Sequence, residues 1–90
     1  MISIIKLLVT GGLGFIGSNF ISRILENQKE WSVVNVDAEL YGSNHQSLKK
    51  FENNLKYSFV KGNITDQKLM KKCILESDVV VNFAAESHVD

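Results

Sequence analysis

The most constraining feature of this sequence is a glycine-rich segment, Thr10 to Gly17, between two stretches of different hydrophobic pattern. An apolar run, Ile4 to Val9, leads into it, and an amphipathic stretch, Phe15 to Leu25, follows it. A second apolar run then ends on Asp37, about 20 residues beyond the last glycine. This order predicts a strand, a tight turn, a helix that begins at the turn, and a second strand that ends in a carboxylate.

These parts together form the fingerprint of a dinucleotide-binding site. Gly11 lets the chain turn with positive φ, Gly14 leaves room for a pyrophosphate, and Gly17 lets the helix lie close to the strand. The N–H groups at the start of the helix, with the positive end of its dipole, would hold the diphosphate. Glycines after a strand can also form an ordinary tight turn, but the acid at the expected distance favours the dinucleotide site.

Asp37 indicates which dinucleotide would bind. Its carboxylate can accept hydrogen bonds from a ribose 2′-hydroxyl, whereas it would repel a 2′-phosphate. Ala38 and Glu39 follow it, and neither supplies a positive charge. The sequence therefore favours NAD over NADP; the alternative for Asp37 is a solvated acid at a strand end.

The length and charge of the chain narrow the possible function classes. Ninety residues are enough for one small domain, with 44% hydrophobic and 22% charged residues, which is a globular composition. Ten basic residues balance ten acidic ones, so neither a nucleic-acid nor a membrane partner is expected. The N-terminal apolar run is too short to span a membrane and lacks the features of a signal peptide, which predicts a cytoplasmic location.

The rest of the chain alternates between helix-like and strand-like stretches. Residues Ile16, Phe20, Ile24 and Leu25 recur at helical spacing and predict one inward stripe on the first helix. The later elements are predicted as a loop over Ala38–Gln46, a short helix over Ser47–Leu55 with Leu48 and Phe51 inward, a strand over Tyr57–Val60, a helix from Thr65 or Asp66 to Glu76, and a strand over Val79–Ala85.

Strands that alternate with helices imply a parallel sheet with right-handed connections. The predicted fold class is α/β: the N-terminal half of a Rossmann-type doubly wound sheet, about four strands in the order 3-2-1-4. The apolar last strand is expected to be covered on both faces. Residues 1–90 are expected to form one partial NAD-binding domain, with the substrate domain absent, and ligands should bind beyond the carboxyl ends of the strands.

Three further features do not indicate a reactive site. Cys73 lies at helical spacing from Leu69 and is predicted as a buried core thiol, and a single cysteine excludes an internal disulfide. Tyr57 and Lys61 have the spacing of a catalytic Tyr-x-x-x-Lys pair, but four residues of strand span about 13 Å, too far for cooperation. No spacing of metal-ligating residues is found, and His45 is predicted as a loop residue without a partner.

The strand ends together resemble the extended short-chain dehydrogenase/reductase family. Its opening signature, Thr-Gly-Gly-x-Gly-Phe-Ile-Gly, fits Thr10 to Gly17 at every fixed position. Phe83 to Asp90 is similar to the end of the fourth strand in the dTDP-glucose 4,6-dehydratases of that family, and Asp37–Asn44 and Tyr57–Gly62 are similar to the same subfamily. The resemblance extends over the whole chain.

The resemblance implies NAD as the cofactor and a role for each matching position. The backbone of Phe15 and Ile16 would meet the pyrophosphate, residues 37–40 would line the adenosine ribose, and residues 83–87 would pass beneath the nicotinamide half. The cofactor-binding residues are then Gly11, Gly14, Phe15, Ile16, Gly17, Asp37, Ala38, Glu39, Leu40, Asn63, Ile64, Phe83, Ala84, Ala85, Glu86 and Ser87, and Ser87 would also lie near the nucleotide-sugar substrate.

Some positions depart from the family pattern or allow two interpretations. The family usually has an acid where Asn63 stands, beside the adenine, and a Thr where Leu40 stands. Glu86 is either a buried charge near the nicotinamide ribose or a helix-start acid. His88 is either a structural residue or an acid/base group.

The activity that the resemblance implies is a nucleotide-sugar 4,6-dehydration, from dTDP-glucose to dTDP-4-keto-6-deoxyglucose, through oxidation, elimination and reduction on one sugar. No catalytic residue of that cycle is expected within these 90 residues, and the enzyme is expected to be a homo-oligomer. The alternatives are a 4-epimerase or decarboxylase of the same family, a non-catalytic NAD-binding or interaction module that pairs through the fourth strand, and a truncated gene product.

Overall fold

The sheet contains four strands, β1 (Ile5–Thr10), β2 (Trp31–Asp37), β3 (Tyr57–Lys61) and β4 (Val79–Asn82). Two α-helices, α1 (Phe15–Asn27) and α2 (Gln67–Leu75), and a 3₁₀ helix (His45–Phe51) connect them. These elements belong to a computed structural model that describes residues 5–39 and 45–84. All pairings are parallel and the order is β3-β2-β1-β4, which confirms the predicted fold class and strand order.

Strand β1 lies inside the sheet, between β2 and β4. Its Leu8 stands opposite Val34 of β2 and Val80 of β4. Because β1 has neighbours on both sides, its residues from Leu7 to Thr10 are all buried. Parallel pairing brings the carboxyl ends of the strands to one edge of the sheet, where the glycine segment begins.

Helix α1 and the 3₁₀ helix supply side chains to the main core on one face of the sheet. The core cluster contains Leu7, Val9, Leu13, Ile21, Leu25, Val33, Leu48 and Phe51. Phe20 and Ile24 pack at its margin. The predicted inward position of Ile16 is wrong: its side chain is 68% exposed, because it lies in the first turn of α1, beyond the sheet edge.

Helix α2 begins at a capped end. Asp66 is the N-cap, and its Oδ1 accepts a hydrogen bond from the Leu69 amide at 3.1 Å, as the predicted start at Thr65 or Asp66 required. Leu69 also lies against the end of β3, where a side chain on Gly62 would overlap it. No residue of α2 is fully buried.

Two predictions about burial are wrong, and one helix has other bounds than predicted. Val79 and Val80 of β4 are each 46% exposed rather than covered on both faces, because within residues 5–39 and 45–84 only β1 pairs with β4. Cys73 is half-buried rather than in the core, since α2 contributes nothing to the core cluster. The predicted short helix is present, with Leu48 and Phe51 buried, but it is a 3₁₀ helix over His45–Phe51 rather than Ser47–Leu55.

Neither α-helix in the described ranges is both long and apolar enough to cross a lipid bilayer.

Candidate dinucleotide site

Backbone hydrogen bonds bring the four predicted site segments to one edge of the sheet. The Gly11 amide donates to the Val36 carbonyl at 2.9 Å, and the Gly62 amide donates to the Asp37 carbonyl at 3.1 Å. On the other side of β1, the Phe83 amide donates to the Thr10 carbonyl at 2.8 Å. The glycine segment therefore lies between the end of β2 and the start of the segment after β4.

The glycines of the motif are needed for different reasons. Gly11 has a φ of +73°, and a Cβ there would lie 2.5 Å from the Ala84 nitrogen. A Cβ on Gly17 would lie 2.5 Å from the Gly11 carbonyl oxygen, so the protein's own backbone excludes it. A Cβ on Gly14 would have only the Gly11 carbonyl oxygen within 4 Å, at 3.6 Å. The packing of the described residues therefore requires Gly11 and Gly17, whereas a Cβ on Gly14 would make only an ordinary van der Waals contact.

The first turn of α1 presents amide groups next to Gly14. Gly14 is the N-cap and offers no side-chain acceptor, and the first turn holds no acidic residue. The Ser18 amide donates to the Gly14 carbonyl at 2.9 Å, but no described residue accepts from the amides of Phe15, Ile16 or Gly17. Unpaired amides at the positive end of a helix dipole form a favourable site for an anion.

Asp37 is 8% exposed and holds two backbone segments together. Its Oδ2 accepts from the Leu13 amide at 2.9 Å, and its Oδ1 accepts from the Glu39 amide at 2.7 Å. A carboxylate has about four acceptor positions, so these two bonds leave capacity for ribose hydroxyls. The sequence predicted Asp37 as a ribose ligand; its second role, holding the glycine segment, was not predicted.

Glu39 lies in a strained turn beside Asp37. Its φ is +58°, which the hydrogen bond to Asp37 helps to maintain. Its carboxylate pairs with the His45 imidazole and with the Lys61 ammonium, the latter at 3.4 Å. The hydrogen bond from His45 is the main cause that holds the pKa of Glu39 below its usual value. The prediction that His45 has no partner is therefore wrong; it also contacts the Phe59 ring edge-on, with centroids 4.8 Å apart.

The remaining predicted site residues lie on both sides of this centre. Asn63 is exposed, and its Oδ1 accepts from the Thr65 amide and hydroxyl, each at 2.9 Å.

Three other predicted site residues, Ala38, Ile64 and Ala84, are half-buried. The Phe83 ring packs on the Phe20 ring, with centroids 5.3 Å apart. The predicted residues Leu40, Ala85, Glu86 and Ser87, with His88, lie outside the described residues.

Asn35 is a functional candidate that the sequence reasoning missed. It is fully buried on β2; its Oδ1 accepts from the Gly12 amide at 3.0 Å, and its Nδ2 donates to the Tyr57 hydroxyl at 3.1 Å. Burial raises the pKa of Tyr57, while the bond from Asn35 opposes that rise. The sequence does carry a signal for Asn35, because it is a polar residue in a mostly apolar strand. It lies two positions before Asp37 and therefore on the same face of the sheet.

Other kinds of site find little support in the described part of the chain. Within it, no group of three or more His, Cys, Asp or Glu side chains is arranged to hold a metal ion. An open cavity of about 370 Å³ lies between the 3₁₀ helix and β3, lined by residues that include Leu48, Tyr57 and Phe59. None of the residues that line it belongs to the glycine segment.

Comparison with known proteins gives the family. The low-salt glycan biosynthesis protein Agl12 of Haloferax volcanii is 47% identical over 92% of this chain and 26% of its own length. The dTDP-glucose 4,6-dehydratase of Mycobacterium tuberculosis is 45% identical over 94% of this chain and 25% of its own length. The crystal structure of dTDP-glucose 4,6-dehydratase from Bacillus anthracis in complex with NAD superposes with a TM-score of 0.85, at 44% identity, over 92% of this chain and 27% of that one.

The chain thus spans about a quarter of the length of the curated relatives it matches. The family model for GDP-mannose 4,6 dehydratase matches residues 8–90, which is nearly the whole sequence. The chain therefore belongs to the GDP-mannose 4,6 dehydratase family, which confirms the predicted kinship with the nucleotide-sugar dehydratases.

Proposed function

We propose that this chain is the NAD-binding portion of a nucleotide-sugar 4,6-dehydratase, a lyase that converts dTDP-glucose into dTDP-4-keto-6-deoxyglucose. The observation that carries the proposal is Gly14, which has no side chain, beside the unpaired first-turn amides of α1. A diphosphate fits both features, because its charge suits the helix terminus and its bulk suits the missing side chain. The proposed reaction is inferred from relatives that are named dTDP-glucose 4,6-dehydratase.

The proposed cofactor residues extend from the glycine segment to both neighbouring strand ends. Gly11, Gly14 and Gly17 shape the diphosphate site, and Phe15 and Ile16 supply amides to it. The ribose and adenine side comprises Asp37, Ala38, Glu39, Leu40, Asn63 and Ile64. The nicotinamide side comprises Phe83, Ala84, Ala85, Glu86 and Ser87, and Ser87 also approaches the nucleotide sugar. When bound, NAD would accept and later return a hydride; the residues named here bind and orient it.

The charges around the end of β2 favour NAD over NADP. Asp37 would lie close to a 2′-phosphate and repel it. The nearby cation, Lys61, is paired with Glu39 and brings no uncompensated positive charge to that place. The preference for NAD thus follows from Asp37.

The decisive experiment is calorimetric titration of the chain with NAD and with NADP. The Asp37→Asn variant keeps the size of the side chain and removes its charge. We expect it to reduce the preference for NAD over NADP by roughly fivefold to tenfold, the equivalent of about 1 kcal/mol of relieved repulsion. Asp37→Asn also replaces one of the two carboxylate oxygens that accept from the Leu13 and Glu39 amides, which affects the binding of both dinucleotides. The relevant measurement is therefore the ratio of the NAD affinity to the NADP affinity.

Asp78→Asn is the matched control, because it makes the same charge change at the other end of the sheet, where Asp78 accepts from the Lys6 amide. It should leave the ratio unchanged. A wild-type chain that binds neither dinucleotide would refute the proposed cofactor site. An unchanged ratio in Asp37→Asn would remove Asp37 from the ribose pocket.

Residues 1–90 alone are not expected to complete the reaction. The Tyr57–Lys61 pair does not supply it, since Tyr57 bonds to Asn35 and Lys61 pairs with Glu39 on a strand. Chromatography of an incubation with dTDP-glucose and NAD tests this. Release of a 4-keto-6-deoxy sugar would contradict it. A 4-epimerase or decarboxylase of the same family is the alternative activity.

We further propose that the protein is a homo-oligomer and that it acts in the cytoplasm. The exposed apolar residues of β4, Val79 and Val80, support self-association, because an uncharged strand edge without proline pairs readily with another strand. The location is inferred from the sequence, and imaging of a tagged chain in cells tests it.

A further inference from the structure

The buried amide of Asn35 connects two parts of the molecule that are distant in sequence. On one side it accepts from the Gly12 amide at 3.0 Å, and on the other it donates to the Tyr57 hydroxyl at 3.1 Å. A buried amide is costly unless its polar atoms find partners, and here both ends do. Asn35 therefore joins the glycine segment to β3 across the face of β2.

The bond to Gly12 fixes the direction of the glycine segment. The Gly12 amide points to Asn35 and the Leu13 amide points to Asp37, so both face the sheet. The first-turn amides of Phe15, Ile16 and Gly17 then remain without an acceptor among the described residues. A Cβ on Gly12 would overlap both the Asn35 amide and Ile21, which shows how closely the segment lies on this anchor.

An apolar side chain at position 35 would fill the same volume but could not make these bonds. The Gly12 amide would then be buried without an acceptor, at a cost that the loop can avoid only by moving outward. Such a movement would displace the first turn of α1, which begins three residues later at Phe15.

We propose that Asn35 is a positioning residue for the dinucleotide: through Gly12 it holds the glycine segment in its binding shape, and Tyr57 fixes the orientation of its amide. Its effect on affinity rests on the proposed NAD function. The shape of the loop that it sets is a property of the chain without ligand, so the two can be tested separately.

The experiment compares Asn35→Leu and Tyr57→Phe with a control, Leu25→Ala, in the 90-residue chain. Leu25 is a core residue near the far end of α1, so its truncation lowers stability without removing a hydrogen bond of the glycine segment. Each variant is titrated with NAD well below its unfolding temperature. The Gly12 amide is followed by NMR, through its chemical shift and hydrogen exchange, without NAD.

Asn35→Leu should weaken NAD binding roughly tenfold, the loss expected for one buried hydrogen bond. It should also shift the Gly12 resonance and accelerate its exchange. Tyr57→Phe should weaken binding about twofold to threefold, with a smaller shift of the same resonance, because Asn35 keeps its bond to Gly12. Leu25→Ala should lower the unfolding temperature and leave both the affinity and the Gly12 resonance unchanged.

An unchanged Gly12 resonance in Asn35→Leu overturns the inference, whether or not the chain binds NAD. Equal losses of affinity in Asn35→Leu and Leu25→Ala overturn it as well, because the effect would then be one of stability. If Asn35→Leu does not fold, the Tyr57→Phe variant provides the test. A Gly12 resonance in Tyr57→Phe that matches the wild type would then count against the proposal. If the wild type binds no NAD while Gly12 responds as expected, the proposed function fails and the anchoring of the loop stands.

Discussion

At the scale of single residues, Gly17 is required by the packing of the fold, whereas Gly14 tests the proposed ligand. Gly17→Ala would place a methyl group 2.5 Å from the Gly11 carbonyl oxygen, so we expect a loss of about 1–3 kcal/mol in unfolding free energy. Gly14→Ala meets only one atom, at 3.6 Å, and Gly14 has a φ of −73°, which alanine adopts without strain. Thermal unfolding and NAD titration of both variants measure the difference.

Gly14→Ala is expected to keep most of the stability and to lose NAD affinity by roughly tenfold or more, because its methyl group would occupy the diphosphate space. Each variant thus controls for the other. The interpretation would be contradicted if Gly14→Ala bound NAD as tightly as the wild type, or if Gly17→Ala were as stable as the wild type.

Most residues of the candidate site could be located from the sequence because each lies at or just beyond the end of a strand. Gly11, Asp37, Asn63 and Ala84 come together since parallel strands end at one edge. Asn35 could not be found in this way, because its role depends on which amide lies above β2 rather than on any spacing in the chain. The same is true of His45, whose partner Glu39 adopts a positive φ that the sequence does not indicate.

At the scale of elements, the start of α2 depends on the carboxylate of Asp66. Its bond to the Leu69 amide compensates for an unpaired N–H group at the helix start. We expect Asp66→Ala to destabilise the helix by about 1 kcal/mol and to increase hydrogen exchange in its first turn. Asp66→Asn is the control and should stay within a few tenths of a kcal/mol of the wild type. Equal exchange in the wild type and Asp66→Ala would show that the cap contributes nothing.

The sequence predicted the type of nearly every element but not how deeply each is buried. Hydrophobic periodicity reports the character of a segment, whereas burial depends on which neighbours cover it. Val79 and Val80 have the pattern of a strand covered on both faces, yet each remains 46% exposed. The 3₁₀ geometry at His45–Phe51 was likewise unpredictable, since Leu48 and Phe51 are three residues apart and fit either kind of helix.

At the scale of the whole molecule, the exposed edge of β4 should determine the state of association. We expect the chain to self-associate as its concentration rises, and Val80→Lys to reduce this, because a charge on an edge strand opposes pairing. Light scattering over a range of concentrations measures it. Leu55→Lys is the matched control, since it adds the same charge at an exposed apolar residue away from β4. A wild-type chain that stays monomeric throughout would contradict the expectation.

The side chains of Asn35 and Asp37, which anchor the glycine segment, make the formation of the candidate site depend on residues that are distant in the sequence. Asn35 and Asp37 lie 23 and 24 residues along the chain from the amides they bind. A synthetic peptide that carried β1, every glycine of the motif and all of α1 would lack both anchors. Under the proposed function, nucleotide recognition would require the tertiary pairing of β2 with β1, and a dinucleotide that binds would favour the docked state and raise its population.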